Sequence, residues 1–195
     1  MPEGSPIRAK AFLHLGSRAA VDQALSRLAR RGELLRIARG VYCLPVHGAF
    51  GPRCPEPAKV VEGLARAKNA TIVESGGTAA HALGLTTQVP VRAVYWSSGR
   101  NQELRLGQQR ISLRRQAAWK LALPNTQAGA AIRALASFPR KKVPRAIEIL
   151  RNKLPRQEIE RLLGVRASLP GWLAAEVSKL ARGKKHSASR PPGAA

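Results

Sequence analysis

Carboxylates are the side chains that hold catalytic metal ions, and this sequence has few of them in a useful spacing. Asp22 is the only aspartate among 195 residues. The glutamates are scattered except for Glu158 and Glu160 in RQEIERLL, a pattern typical of a solvent-facing helix surface. Enzymes that cut or extend nucleic acids gather two or three carboxylates around Mg²⁺. The acid inventory therefore argues against a metal-dependent nucleic-acid enzyme.

Thiols and imidazoles are equally sparse. Cys43 and Cys54 flank His47, which gives three ligands where structural zinc requires four. A disulfide is disfavoured in the cytoplasm, so we expect one buried thiol and one loop thiol. His81 lies near Glu74 in ESGGTAAHALGL, but there is no nucleophile elbow and no aspartate to orient a histidine. We predict no catalytic residue, no metal site and no cofactor.

Basic charge dominates the composition. The chain has 34 Lys and Arg residues against 11 Asp and Glu residues, a formal net charge of +23. Nucleic acid is the usual partner of such a chain, because its phosphates offset the self-repulsion. A genome enriched in Arg and Ala accounts for part of the excess. There is no run of eighteen apolar residues and no apolar signal segment, so we expect a cytoplasmic protein without a membrane span.

Arginine is densest in RLARRGELLRIARGVY, and periodicity predicts how it is displayed. In SRAAVDQALSRLARRG, apolar side chains recur at helical spacing, with Ser17 as the N-cap and Gly32 as the C-terminal stop. ELLRIARGVYCLP then predicts two strands joined by a turn at Arg39–Gly40. The apolar stripe of the helix comprises Val21, Ala24, Leu25 and Leu28, and the opposite face comprises Ala19, Gln23, Ser26, Arg27 and Arg30.

Helix, turn, helix and hairpin is the order of a winged helix-turn-helix, with a first helix predicted over 7–15. In that fold the second helix enters the major groove, where Gln pairs with adenine and Arg with guanine. Phosphate contacts fall to the helix start and to the hairpin. The predicted DNA-binding residues are Ser17, Arg18, Gln23, Ser26, Arg27, Arg30, Arg36 and Arg39.

A winged helix normally has three helices, and only MPEGSP precedes the first predicted one. We therefore hypothesise that a C-terminal helix over 171–182 packs against residues 7–28, through Trp172, Leu173, Val177 and Leu180.

The remaining chain predicts an α+β protein whose later part is a small mixed or antiparallel α/β unit followed by helices. The predicted domains are 1–46 (winged helix-turn-helix), 47–58 (linker), 59–182 (α/β plus helical domain) and 183–195 (disordered basic tail). Predicted strands include ATIVES, VRAVYWSSG, the hairpin ELRLGQQRISLRR and AAWKLAL. Predicted helices include KVVEGLARAK, GGTAAHALGL, 127–137, 143–154, 156–164 and 171–182.

Two blocks of the sequence, HLGSRAAVDQALSRLARRGELLRIARGVYCLP and ESGGTAAHALGLTTQVPVRAVYWSSGR, resemble the AbiEi-like antitoxins of bacterial type IV toxin–antitoxin systems. The resemblance covers residues 6–180 and is greatest to a short subgroup labelled as transcriptional regulators. It implies a repressor that binds inverted repeats in its own operator and counters a nucleotidyltransferase-type toxin. The later domain would serve antitoxicity, for which the candidate residues are Thr87, Gln88, Arg92, Tyr95 and Arg100.

Two alternatives stay open. One is a solitary DNA- or RNA-binding regulator without a toxin, since charge alone fits RNA equally well. The other is a nucleic-acid-processing enzyme that uses the basic surface as a substrate track. The oligomeric state and the operator sequence do not follow from the sequence.

Overall fold

The computed structural model describes residues 5–49 and 51–181, and the predicted tail 183–195 lies outside them. Within these ranges lie nine β-strands and seven α-helices, which confirms the predicted α+β class. The chain divides into two compact units. Unit 1 comprises Met1–Val73 and Val91–Gln116, and unit 2 comprises Glu74–Pro90 and Ala117–Ala195. These bounds cut the chain at other points than the predicted domains.

Unit 1 begins with a strand where the sequence predicted a helix over 7–15. β1 (Pro6–Arg8) pairs antiparallel with β3 (Val41–Cys43), with Ile7 opposite Tyr42, and a 3-10 helix follows at Ala9–Phe12. The helix prediction was wrong because pairing with a distant strand satisfies the backbone of β1, which a single-sequence pattern does not reveal. Leu15, which the predicted apolar stripe required inside, is 72% exposed.

Helix α1 (Arg18–Arg30) and the hairpin of β2 (Leu35–Ala38) and β3 follow as predicted. Gly32 ends α1 with a φ of 77°, and the Glu33 N–H donates to the Leu28 carbonyl 3.0 Å away, which is a Schellman arrangement. Gly40 supplies a φ of 65° at the hairpin turn. These local signals were sufficient because each acts within a few residues.

The sheet of β1, β3 and β2 has β3 in its centre, and apolar residues cover both of its faces. On one face Tyr42 packs in a cluster that includes Val21 and Leu25 of α1. On the other face Val41 and Cys43 pack in a second cluster, with residues of a helix and a sheet that follow in the chain. All three residues of β3 are therefore buried.

The rest of unit 1 supplies that second cluster. The predicted linker 47–58 contains most of a short antiparallel hairpin, and a mixed four-stranded sheet has the order β6-β7-β9-β8. In this sheet β7 is parallel to β9 and β8 is antiparallel to β9, which confirms the mixed arrangement. The elements are β4 (Val46–Gly48), β5 (Gly51–Arg53), α2 (Pro57–Lys68), β6 (Ile72–Glu74), β7 (Ala93–Ser97), β8 (Gln102–Leu106) and β9 (Gln109–Arg115).

Unit 2 is helical, and its core is aliphatic. Its helices are α3 (Gly76–Ala82), α4 (Gln127–Ser137), α5 (Val143–Lys153), α6 (Arg156–Gly164) and α7 (Gly171–Ser178), with 3-10 helices at Ala118–Leu121, Arg140–Lys142 and Arg166–Ser168. Leu173, Val177 and Leu180 are buried in the same cluster as residues of α4, α5 and α6. The side chains that we expected to brace residues 7–28 thus belong to the core of unit 2.

The segment AAWKLAL forms a 3-10 helix and not the predicted strand. It runs close over α4, where the Ala122 carbonyl oxygen would lie 2.8 Å from a Cβ at Gly129 and the Leu123 carbonyl oxygen would overlap that Cβ. Leu123 and Asn125 take positive φ values of 50° and 60° on either side of Pro124. The prediction was wrong because this close approach, and not strand pairing, determines the path.

Glu158 was expected on a solvent-facing surface, and it is buried instead. Its carboxylate accepts a hydrogen bond of 2.8 Å from the Ala128 N–H in the first turn of α4, and it pairs with the Arg161 guanidinium at 2.6 Å. A carboxylate at a helix N-terminus satisfies a free N–H group and favours the helix dipole. Glu158 therefore ties α6 to the start of α4.

The glycine at the α4 crossing provides a test of this packing. We expect Gly129→Ala to lower the free energy of unfolding by about 3 kcal/mol, because a backbone carbonyl must move to admit the methyl group. Gly164→Ala is the matched control, since no atom lies within 4 Å of its added Cβ and alanine favours a helix. Chemical denaturation measures both, and equal stability of the two variants would contradict the packing.

A second test concerns the autonomy of the N-terminal region. The fragment 1–58 lacks α2, β8 and β9, so one face of the β1-β3-β2 sheet would expose Ile37, Val41 and Cys43 to water. We expect this fragment to show no cooperative thermal transition, whereas the full chain unfolds cooperatively. A sigmoidal transition of the fragment with a well-dispersed amide spectrum would contradict the two-sided core.

Candidate nucleic-acid interface

Helix α1 presents the most regular basic face in unit 1. The Ser17 hydroxyl accepts a hydrogen bond of 3.3 Å from the Ala20 N–H and so caps the helix, as predicted. Val21 and Leu25 fix the inner side by burial. The outer side carries Gln23, Arg27 and Arg30 as exposed residues, while Ser26 is half-buried at its border. Amphipathic packing therefore determines which side chains face the solvent.

Arg18 differs from the other predicted contacts because it is already paired. Its Nε lies 2.8 Å from Oδ2 of Asp22, one turn further along α1, and both side chains are largely exposed. Its Nη2 atom would also lie 3.6 Å from a Cβ at Gly40, so the guanidinium reaches the hairpin turn. Arg18 thus lies between the start of α1 and the tip of the hairpin.

The hairpin brings two further arginines to the surface. Arg36 lies opposite Tyr42 in the β2–β3 register and is exposed, although Tyr42 is buried. Arg39 occupies the turn, where Ala38 pairs with Val41. The Ala9 N–H donates to the Gly40 carbonyl oxygen at 3.3 Å, which ties the turn to the 3-10 helix. The turn that displays Arg39 is therefore anchored by backbone hydrogen bonds.

Ion pairing leaves the predicted arginines without counter-charges. In its described residues unit 1 has 18 Lys and Arg against five Asp and Glu. Four of those five carboxylates have a cationic neighbour, in the pairs Arg18–Asp22, Arg31–Glu33, Arg66–Glu62 and Arg114–Glu103. Among the described residues, no hydrogen bond or ion pair engages the side chains of Arg27, Arg30, Arg36 and Arg39. Surface pairs stabilise little, so their main effect here is on where the positive potential remains.

The second set of predicted residues does not gather within one unit. Thr87 and Gln88 lie in unit 2 and are exposed, whereas Arg92, Tyr95 and Arg100 lie in unit 1. Arg92 and Arg100 are exposed, and Tyr95 is half-buried against the apolar cluster of unit 1. Neither unit by itself brings all five together.

A buried arginine in unit 2 was missed by the sequence reasoning. Arg133 of α4 is 4% exposed, and its Nε and Nη1 atoms have no hydrogen-bond partner among the described residues. Burial lowers the pKa of Arg133, and the Glu74 carboxylate opposes this shift. Arginine is rarely buried without a partner, and the alanine-rich sequence around it gives no signal of its position.

The two cysteines behave as predicted, with Cys43 buried and Cys54 exposed, both as free thiols. Burial raises the pKa of the Cys43 thiol to about 12, and the nearby Cys54 thiol adds to this shift. Among residues 5–49 and 51–181 no three potential metal ligands of the His, Cys, Asp or Glu type lie together. No helix in those ranges is long and apolar enough to cross a membrane.

Comparison with known proteins gives a family. Residues 1–162 match the model described as a family of unknown function, DUF6088. The chain therefore belongs to the DUF6088 family. No curated protein matches the sequence. Among solved structures, the crystal structure of the RV2827C protein from Mycobacterium tuberculosis is similar, with 18% sequence identity, a TM-score of 0.47, and coverage of 90% of this chain and 71% of that chain.

Thiol labelling tests the environment of the two cysteines. At mildly alkaline pH we expect a maleimide reagent to modify Cys54 and to leave Cys43 unmodified in the native protein, because the thiolate is the reactive form and burial suppresses it at Cys43. In guanidinium chloride both should react. Mass spectrometry counts the adducts, and equal labelling of both thiols in the native protein would contradict the described burial.

Proposed function

We propose that this chain binds double-stranded DNA through α1 and the β2–β3 hairpin and acts as a transcriptional repressor. The observation that carries the proposal is the state of Arg27, Arg30, Arg36 and Arg39, which are exposed and have no counter-charge among the described residues. Cations that neither pair nor pack contribute little to the stability of the fold. DNA phosphates and guanine edges are their natural acceptors.

In this proposal α1 is the recognition helix of a winged helix-turn-helix and the hairpin is the wing. Arg27 and Arg30 would read base edges, with Gln23 suited to adenine. The place of the usual first helix would be taken by β1 and the 3-10 helix Ala9–Phe12. Support comes from the chain order and from the packing of α1 on the sheet through Val21 and Leu25.

The resemblance to AbiEi-like antitoxins extends the proposal to a biological role. The protein would act in the cytoplasm, bind inverted repeats in its own operator and counter a nucleotidyltransferase-type toxin. A neighbouring gene for such a nucleotidyltransferase would support this role, and a different neighbour would favour a solitary regulator.

Substitution of the recognition residues tests the DNA-binding proposal. We expect Arg27→Ala or Arg30→Ala to weaken binding to the DNA upstream of the protein's own gene by about 1–3 kcal/mol and to relax base preference at one position. Arg39→Ala should weaken binding to all sequences alike and reduce the slope of log K against log salt by about 0.9. Mobility-shift titrations across salt concentrations measure both effects.

Arg66→Ala is the matched control, because Arg66 is an exposed arginine of unit 1 that pairs with Glu62. Unchanged binding in all the other variants would remove α1 and the hairpin from the interface. Tighter binding to RNA than to DNA of the same sequence would favour an RNA-binding regulator. Mg²⁺-dependent cleavage or nucleotide transfer would favour an enzyme.

A further inference from the structure

Unit 2 carries a second concentration of positive charge that the proposed DNA-binding face leaves unexplained. Arg140, Lys141 and Lys142 form a 3-10 helix that leads into α5, and Arg145 lies in the first turn of α5. All four residues are exposed. None of them forms an ion pair with another described residue, although unit 2 has five described carboxylates.

The charge has no structural role in α5. Cations near the start of a helix oppose its dipole, at a cost of about 0.3–1 kcal/mol each. The first turn of α5 contains no acidic residue, and no side chain caps it. Arg140 stacks over the Trp172 ring at 5.2 Å from the centroid, and this is the one interaction of its side chain with a described residue. The cluster therefore points to an external anion.

Polar groups lie next to the cluster, around an open groove of about 620 Å³ within unit 2. Lys142 lines this groove together with the segment Ser137–Pro139 and the loop Thr86–Pro90. The Thr86 hydroxyl accepts a hydrogen bond from the Gln88 N–H at 3.2 Å, which fixes the loop. The side chains of Thr87 and Gln88 are exposed and make no hydrogen bond to any described residue. Hydroxyl and amide donors thus lie beside uncompensated cations.

We propose that this surface, made of residues 86–90, 137–142 and Arg145, binds the sugar-phosphate backbone of DNA as a second contact of the repressor. Phosphate contacts are made by Lys, Arg, Thr and Gln side chains, which is the set found here. Lysine is a compact point charge that suits phosphate without reading sequence. The inference rests on the proposed function, because it assumes that the chain has DNA as its partner. It also assigns a role to Thr87 and Gln88 of the predicted second set.

Fluorescence anisotropy with a labelled DNA duplex of random sequence tests the inference on the full chain. The double variant Lys141→Ala/Lys142→Ala should bind about tenfold more weakly at physiological salt, and its slope of log K against log salt should fall by one to two contacts, about 0.9 for each. The matched control is Arg156→Ala/Arg166→Ala, which removes the same charge from exposed positions of unit 2. It should retain most of the affinity and the slope.

Two further measurements keep the result interpretable. The melting temperature of the Lys141/Lys142 variant should equal or exceed that of the wild type, because unfavourable charge leaves the start of α5. A clear fall would indicate a structural role and overturn the inference. Polyglutamate should compete much less than unlabelled duplex, and equal competition would identify a general polyanion surface and also overturn it.

Parallel titration of Arg27→Ala/Arg30→Ala on the upstream DNA separates this inference from the proposed function. If the Lys141/Lys142 variant matches its control while Arg27→Ala/Arg30→Ala weakens binding, the second contact is overturned and the recognition face stands. If the reverse holds, the second contact stands and the recognition face is overturned. Absence of wild-type binding to any DNA would overturn both.

Discussion

Unit 1 depends on the burial of strand β3 from both sides. Tyr42 points into the cluster that holds α1, while Val41 and Cys43 point into the cluster that holds α2, β8 and β9. A two-faced strand of this kind buries apolar surface twice for one stretch of backbone. It also fixes α1 relative to the hairpin, because both rest on the same three residues. The positions of the surface arginines follow from this packing.

Electrostatics then determines what the surface can bind. The few carboxylates of unit 1 are mostly used in local pairs such as Arg18–Asp22, so the positive potential remains over Arg27 and Arg30 of α1 and over the hairpin. In unit 2 the cations of residues 140–145 lie where a helix favours anions. Both arrangements have a physical explanation if the chain works against a polyanion, and neither strengthens the fold in its absence.

Local signals in the sequence predicted a large part of this fold. The Ser17 cap, the Gly32 stop and the Arg39–Gly40 turn each operate within a few residues, and the structure confirms them. The strand nature of β1 could not be predicted because its partner, β3, lies more than thirty residues away. The path over Gly129 was missed for the same reason, since its cause is contact between separate segments. The outward face of α1 was predictable from periodicity alone, whereas its pairing state required coordinates.

The most direct test of the account is to observe the guanidinium groups themselves. Side-chain Nε–Hε resonances of arginine report contact with phosphate or base by NMR, and the upstream DNA can be titrated at physiological salt. The account predicts that the resonances of Arg27, Arg30, Arg36 and Arg39 shift on addition of this DNA, while that of the paired Arg66 stays in place. Saturated DNA binding that leaves these four resonances unchanged would contradict it.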